Sequence, residues 1–498
     1  MAWRGRITPA RGALVCDGAA TPAPCGCASP EAHALCARLS EDLTRRMLLG
    51  GGMAAAVAAF APASAQPASA QPASAQPAAS APRLLLANLR LFDGVTRRLR
   101  EGVNILIEGE RIIALPGAGE AVEGALVRDC GGRLAMPGLI DAHWHSMLCA
   151  IPQLAAMTAE LAFVHIVAAR EAERTLLRGF TTIRDAGGPA FALKRAIDLG
   201  LIPGPRIYPS GAMISQTSGH GDFRLRQEVP RAANAPLSQA ELGGIGAIAD
   251  GEAEVLRRVR EQLLLGASQI KITGGGGVSS AYDPIDTLQF RESEQRAAVE
   301  AAADWGTYVM SHVYTPAGIR RALRAGVRSI EHGQLCDEET ARMMAGEGVW
   351  WSLQPFLADE DANPKSDPAS AAKQREVAEG TLRAFEFAQR FRVNMAWGTD
   401  ILFSPESVAN HGRQLAKLTR FFDPLELLAI ATGRNGALCA LSGARNPYPG
   451  PIGVIAPGAM ADILIAEGEP ARSLDFLMDP ARNLKLILKG GRIHKDGL

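Results

Sequence analysis

The sequence predicts an α/β protein: a (β/α)₈ TIM barrel carrying a small β-sandwich built from both ends of the chain. Three observations predict it. Between residues 138 and 450, short strand-like runs alternate with helix-like stretches until eight strands are counted, the number that closes such a barrel. The flanking stretches, 83–137 and 451–498, are instead short strands joined by turns. Metal-competent residues recur at the ends of the central strands, where barrels of this kind keep their chemistry.

The chain has 498 residues, enough for one large domain and a smaller companion. Lys+Arg and Asp+Glu both total 52, so no global field recruits nucleic acid or an acidic membrane, and neither is expected as a partner. Of eight cysteines, Cys16, Cys25, Cys27 and Cys36 precede residue 40, while Cys130, Cys149, Cys336 and Cys439 are scattered. Neither set has the paired spacing of a structural zinc site, and the scattered four read as small buried hydrophobes.

Residues 1–65 read as a twin-arginine signal region. Thr44-Arg45-Arg46-Met47-Leu48-Leu49 precedes a small, apolar run over 50–65 that ends in Ala63-Ser64-Ala65, an A-x-A cleavage site. That run is too short and too rich in Ala and Gly for a membrane span, which needs roughly 20 apolar residues. Ala-Ser-Ala-Gln-Pro then occurs three times between Ala63 and Pro77, so 66–82 is expected to be a disordered linker with almost nothing to bury. The expected partner is the twin-arginine export machinery, and the expected mature chain starts near Gln66 in the periplasm or beyond. The 44 residues before Arg45 are long for such a leader; either translation starts later or this cysteine-bearing segment has a role of its own.

From Arg83, strand-like runs fall at 84–89, 103–108 and 111–115, with Asp93-Gly94 and Gly109-Glu110 as turns. The same style returns at 462–466 and 484–488, before Lys489-Gly490-Gly491-Arg492. The barrel strands are expected at 138–143, 181–185, 206–210, 269–273, 308–312, 329–332, 350–354 and 394–400, with helices such as 155–178, 253–265, 316–325 and 425–441. An open doubly wound sheet would want a Gly-rich phosphate turn after its first strand. Here that strand ends His143-Trp144-His145, which favours the barrel.

Alternate residues of a strand point the same way, so His143 and His145 can converge on one ion at the barrel mouth. At the fourth strand, Ile270 and Ile272 should face the helices, which turns Lys271 inward. An inward lysine is costly unless it is paired or chemically changed. Taken alone it reads as an ion-paired lysine; the other reading is a carbamate made with CO₂, a two-oxygen anion able to bridge two cations. The fifth and sixth strands end at His312 and His332, and the eighth at Asp400, which can bind metal and accept a proton from water. Each alone could be a satisfied core residue. Six candidates at five strand ends make coincidence a poor explanation, and the donor set matches the N/O preference of zinc.

With these residues placed, the sequence resembles the amidohydrolase superfamily from about residue 83 to the end. Met136-Pro137-Gly138-Leu139-Ile140-Asp141-Ala142-His143-Trp144-His145 resembles its first-strand signature, and Ile455-Ala456-Pro457-Gly458-Ala459-Met460-Ala461-Asp462 the return to the sandwich. Ser218-Gly219-His220-Gly221-Asp222, Ile270-Lys271-Ile272-Thr273-Gly274-Gly275-Gly276-Gly277 and Asp283-Pro284-Ile285-Asp286 are most similar to the Xaa-Pro dipeptidase and ochratoxin-amidase-like group. The resemblance implies two Zn²⁺ or similar ions. His143, His145 and Asp400 hold the more buried one, His312 and His332 the other, and carboxylated Lys271 bridges both. It further implies cleavage of an amide to an amino acid, with Asp400 moving the proton.

His220, in a Gly-flanked loop, could donate to an oxyanion or to a substrate carboxylate, and Tyr314 could contact substrate; loop packing is the competing reading for both. His165 and His494 read as non-functional, and His411 could edge the pocket but is given no role. The partners expected are a small-molecule or dipeptide substrate and further copies of the chain in a homo-oligomer. Stretches 223–250 and 357–378 read as lid elements that set specificity. Two other functions compete. Cyclic-amide hydrolases of the hydantoinase or imidazolonepropionase kind belong to the same superfamily, and a non-catalytic exported metal-binding protein would keep ligands without needing a general base such as Asp400. A deaminase is disfavoured because no acid follows His312 in Val313-Tyr314-Thr315-Pro316.

Overall fold

The computed structural model describes residues 83–498 except 231–234, 281, 363–364 and 366. The predicted signal region 1–65 and linker 66–82 lie outside the described residues. Seventeen strands are described. In chain order they are β1 (Arg83–Leu91), β2 (Ile105–Glu108), β3 (Arg111–Ala114), β4 (Ala125–Pro137), β5 (Leu139–Trp144), β6 (Phe180–Asp185), β7 (Arg206–Tyr208), β8 (Met213–Ser215) and β9 (Gly246–Ile248). They continue with β10 (Ile270–Thr273), β11 (Val309–Val313), β12 (Ser329–His332), β13 (Trp350–Leu353), β14 (Asn394–Trp397), β15 (Ile463–Ala466), β16 (Leu484–Lys489) and β17 (Arg492–Asp496).

The two ends of the described chain share one mixed sheet, ordered β17-β16-β15-β4-β1-β2-β3. β15 joins it antiparallel to β4, with Ile463 opposite Pro137 and Ala466 opposite Leu134. Its period-2 alternation serves two cores: Ile463 and Ile465 pack with Leu86, Ile105 and Leu486, while Leu464 and Ala466 pack into the large core of the α/β region. The sandwich expected here would need a second sheet; among the described residues the ladders join these seven strands as one.

The α/β region is built from two all-parallel sheets, β5-β6-β7 and β14-β13-β12-β11-β10-β8-β9. β5, β6, β10, β11 and β12 are buried throughout, as strands covered on both faces must be. The predicted third strand is divided: β7 pairs with β6, and β8 pairs with β10. Pro209 has no N–H for a ladder and Gly211 sits at φ +76°, so the run cannot stay extended. Amide side chains span both gaps between the two sheets. Gln269 Nε2 donates to the carbonyls of Tyr208 (2.7 Å) and Asp185 (3.1 Å), and Asn435 Nδ2 donates to those of Ile140 and Trp397 (both 2.7 Å).

The connecting helices follow local rules. Pro316–Ala325 carries the chain from β11 to β12: the Thr315 hydroxyl accepts from the Gly318 N–H, Pro opens the first turn, and Gly326 at φ +94° ends it. Ile319, Ala322 and Leu323, three and four residues apart, make its buried face. The expected lid stretch 357–378 is helical from Pro368, where Asp367 caps the long helix Pro368–Arg390 by accepting from Ser370. The expected strand 394–400 stops at Trp397, which leaves Asp400 in the following loop. β9 and the helix Gln239–Leu242 lie within 223–250, where the sequence showed only an insert.

Candidate metal centre

His143 and His145, two apart at the end of β5, both face a cavity of about 1330 Å³, open solvent at its mouth included. Each ring is held by one nitrogen. His143 Nδ1 lies 2.7 Å from Glu331 Oε2, His145 Nδ1 3.0 Å from the Gly187 carbonyl, and His332 Nδ1 2.8 Å from Gln354 Oε1. An imidazole that donates through Nδ1 presents a lone pair on Nε2, so three such lone pairs are oriented by the fold. His312 is reversed: its Nε2 lies 3.3 Å from the Gly276 carbonyl, which leaves Nδ1 free.

Asp400 completes the cluster. Its Oδ1 lies 3.0 Å from His145 Nε2 and 3.5 Å from His143 Nε2. Candidate ligand atoms of His143, His332 and Asp400 all lie within 4.8 Å of one another. The Asp400 N–H donates to the His143 carbonyl at 2.9 Å, an approach that requires Gly398, where a Cβ would collide with the His143 backbone. Asp400 at φ +52° and His332 at φ +77° both hold left-handed backbone, a strain that side chains tolerate mostly at working sites.

Lys271 projects from β10 with its ammonium 3.4 Å from His143 Nε2, while Ile270 and Ile272 are buried in the large core. Burial pulls the Lys271 pKa down to about 8. Burial also lowers His143 to about 4, helped by the nearby Lys271 charge, and takes His312 and His332 well below the ordinary histidine value. These imidazoles are therefore neutral at pH 7, the form that binds metal. Burial opposes ionisation of Asp400, but His143, His145 and His332 outweigh it and hold the carboxyl well below the usual range. Neutral nitrogens around one carboxylate are a donor set that fits a divalent ion of the zinc type.

Behind the ligand atoms lies a shell that sequence reasoning missed. Glu331 and Arg184 form an ion pair closed to solvent, with Arg184 Nη2 2.6 and 2.7 Å from the two carboxylate oxygens. Burial alone would raise the Glu331 carboxyl; Arg184 and the His143 hydrogen bond reverse that and keep it ionised. Asp141 accepts from the His143 N–H, from the Thr399 hydroxyl and from His411 Nε2, tying β5 to the loop that carries Asp400. His411 stacks on Phe180 and Trp144, so it supports β5 and does not edge the pocket. An acid within Ile330-Glu331-His332, in a strand otherwise bound for burial, was the one visible signal.

His220 also faces the cavity. Its ring stacks on His312 with centroids 4.1 Å apart, and its Nδ1 lies 3.3 Å from Asp283 Oδ2. Asp283 further accepts from the Gly277 N–H at 2.8 Å and from Gln289 at 3.2 Å. Gly277 leaves room for the His220 ring, which a Cβ would strike. Tyr314 is buried, with its ring 5.0 Å from that of His332. All eight sequence-predicted site residues thus line one cavity, whose walls include Phe223, Phe356, Leu357, Ile401 and Leu402. His165, which bonds its own helix at the Leu161 carbonyl, and His494 lie outside that lining.

The model of the amidohydrolase family matches residues 134–493. The ochratoxinase of Aspergillus niger is 31% identical over 415 residues, which cover 78% of this chain and 82% of that protein. A solved amidohydrolase structure has a TM-score of 0.77 and 37% identity, covering 84% of this chain and all of the other. A prolidase solved with N-methylphosphonate-L-proline has a TM-score of 0.76 and 33% identity, covering 83% of this chain and all of the other.

Proposed function

Because this chain belongs to the amidohydrolase family and is a hydrolase of amide bonds, we propose that it cleaves an amide to an amino acid at a site for two zinc ions. His143, His145 and Asp400 would hold the deeper ion, His312 and His332 the outer one, and carboxylated Lys271 both. Such ions, when bound, polarise a carbonyl and lower the pKa of water from about 15.7 toward about 7. The neutral Lys271 amine attacks CO₂ to form an N–C bond; one N–H proton leaves to solvent and an anionic carbamate remains. Asp400, ionised and backed by His145, takes the proton of the attacking water and delivers it to the departing nitrogen. His220, steadied by Asp283, donates to the developing oxyanion or to a substrate carboxylate, and Tyr314 packs against substrate.

The observation that carries this reading is the convergence of four histidines, a buried amine and an ionised aspartate on one cavity. The amino-acid half follows from similarity to a prolidase bound to a proline phosphonate, and Xaa-Pro dipeptides, N-acyl amino acids and ochratoxin-like aryl amides are the substrates to test. We read the two parallel sheets as one closed (β/α)₈ barrel over 138–450, with the terminal strands as its companion sandwich. We also read the protein as a homo-oligomer exported by the twin-arginine route; N-terminal sequencing of exported protein should start near Gln66, and Met1 would contradict cleavage. The direct test is a screen of metal-replete protein against dipeptides and N-acyl amino acids. Release of free amino acid that disappears on chelation is expected. Silence across the panel would contradict the assignment.

A further inference from the structure

His411 is a buried titratable group that no step of the proposed chemistry uses, and it lies outside the cavity lining. It opens the helix His411–Ala416, and its ring lies parallel between Phe180 and Trp144, with centroids 3.4 and 4.2 Å away. A ring stacked on both faces cannot turn, so its nitrogens point in fixed directions. Nδ1 is buried with no partner among the described residues, whereas Nε2 lies 2.8 Å from Asp141 Oδ2. Burial holds the imidazole well below the ordinary histidine value, so it is neutral and its one proton sits on Nε2, facing the carboxylate.

Asp141 joins two segments that carry candidate ligands. Its Oδ1 accepts from the His143 N–H at 2.8 Å, and its Oδ2 accepts from the Thr399 hydroxyl at 2.7 Å. The Thr399 N–H adds a longer bond at 3.2 Å. Thr399 precedes Asp400, so one carboxylate holds both the end of β5 and the left-handed loop. Donors from those two segments alone would leave it free to swing between them. Among the described residues His411 is the donor from a third element, and it fixes the plane of the carboxylate. That element is anchored in turn by the stretch after β13 that roofs the cavity: Arg413 pairs with Asp361 (3.1 Å), and Lys417 and Arg420 pair with Asp359 (3.2 and 2.8 Å).

We propose that His411 is a positioning residue: through Asp141 it sets the loop Gly398–Asp400 against β5, and so sets how tightly His143 and Asp400 hold the deeper ion. This rests on the ligand assignment above, in which those two residues share that ion. Removing the donor leaves a buried carboxylate oxygen with one partner fewer. The carboxylate then reorients toward its remaining donors and takes the loop with it. Losing such a partner behind a ligand costs roughly 10- to 100-fold in metal affinity. The ring of His411 serves the fold, and its N–H serves the site.

Two variants separate those roles. His411→Phe keeps a flat ring for the stack and loses the donor; His411→Gln keeps an N–H at the place of Nε2 and loses the ring. Zinc-loaded full-length protein is titrated with a chromophoric chelator, and melting temperatures are recorded with chelator in excess, where metal no longer contributes. His411→Phe should bind zinc roughly 10- to 100-fold more weakly than wild type, although it melts at the higher temperature of the two. His411→Gln should stay within about threefold of wild type. His411→Leu, of similar volume and without a donor, should lose zinc as His411→Phe does. Asp400→Asn is the reference, because it removes a ligand outright. Affinity within about threefold of wild type in both His411→Phe and His411→Leu, beside a clear loss in Asp400→Asn, overturns the positioning role. An order of affinities that follows the order of melting temperatures marks packing alone and overturns it as well. Unchanged affinity in Asp400→Asn would remove the ligand assignment itself, and this role with it.

Discussion

Lys271→Ala is expected to lower kcat/KM by about 10³-fold or more, with partial recovery on adding formate, acetate or propionate. Ile270 and Ile272 anchor β10 in the core, so the intervening side chain has no direction but the cavity. Burial brings its pKa to about 8. At pH 7 the free amine is then on the order of a tenth of the population, a few hundredfold more than for an ordinary lysine. That amine is the form that captures CO₂. Alanine removes the amine and leaves a space the length of the lost chain, which a short carboxylic acid can enter to present the missing anion. The fold should tolerate the change, because a buried ammonium is itself unfavourable. Near-normal kcat in this variant would remove the carbamate from the mechanism.

Asp400→Asn is expected to lower kcat by about 10³- to 10⁴-fold. Asparagine keeps the shape and accepts φ +52° readily, so the loop that follows Gly398 should hold its course. What disappears is the ionised oxygen 3.0 Å from His145 Nε2, and with it the group that takes the water's proton and passes it to the leaving nitrogen. A circular dichroism spectrum matching wild type, alongside the collapse in kcat, would separate chemistry from folding. A variant that keeps more than about a tenth of the wild-type rate would assign the proton transfer elsewhere.

The strand-end residues were legible because parallel strands impose a rule: function gathers at their carboxyl ends, and alternation decides which side chain faces inward. That rule places His143, His145, Lys271, His312 and His332 from sequence spacing alone. It places Asp400 only approximately, since the strand stops at Trp397 and the carboxylate arrives through a left-handed loop held by Gly398. The partners that orient these groups were not legible. Glu331 lies 188 residues from His143 in sequence, and Gln354 and Asp283 meet their histidines only once the sheets are assembled. Pro209 and Gly211 were plain breakers, yet the run 206–210 reads as one strand because apolar residues continue through it. The residues lining the roof, Lys365 among them, follow from where the helix after Asp367 packs, which no local pattern reports.

The central claim is a pair of ions that share Lys271. Its most direct test is the metal content of zinc-replete, exhaustively dialysed protein, measured by inductively coupled plasma mass spectrometry for wild type and Lys271→Ala. Two ions per chain in wild type, falling to one or fewer in the variant, is the predicted result. One ion per chain in both would contradict a bridged pair.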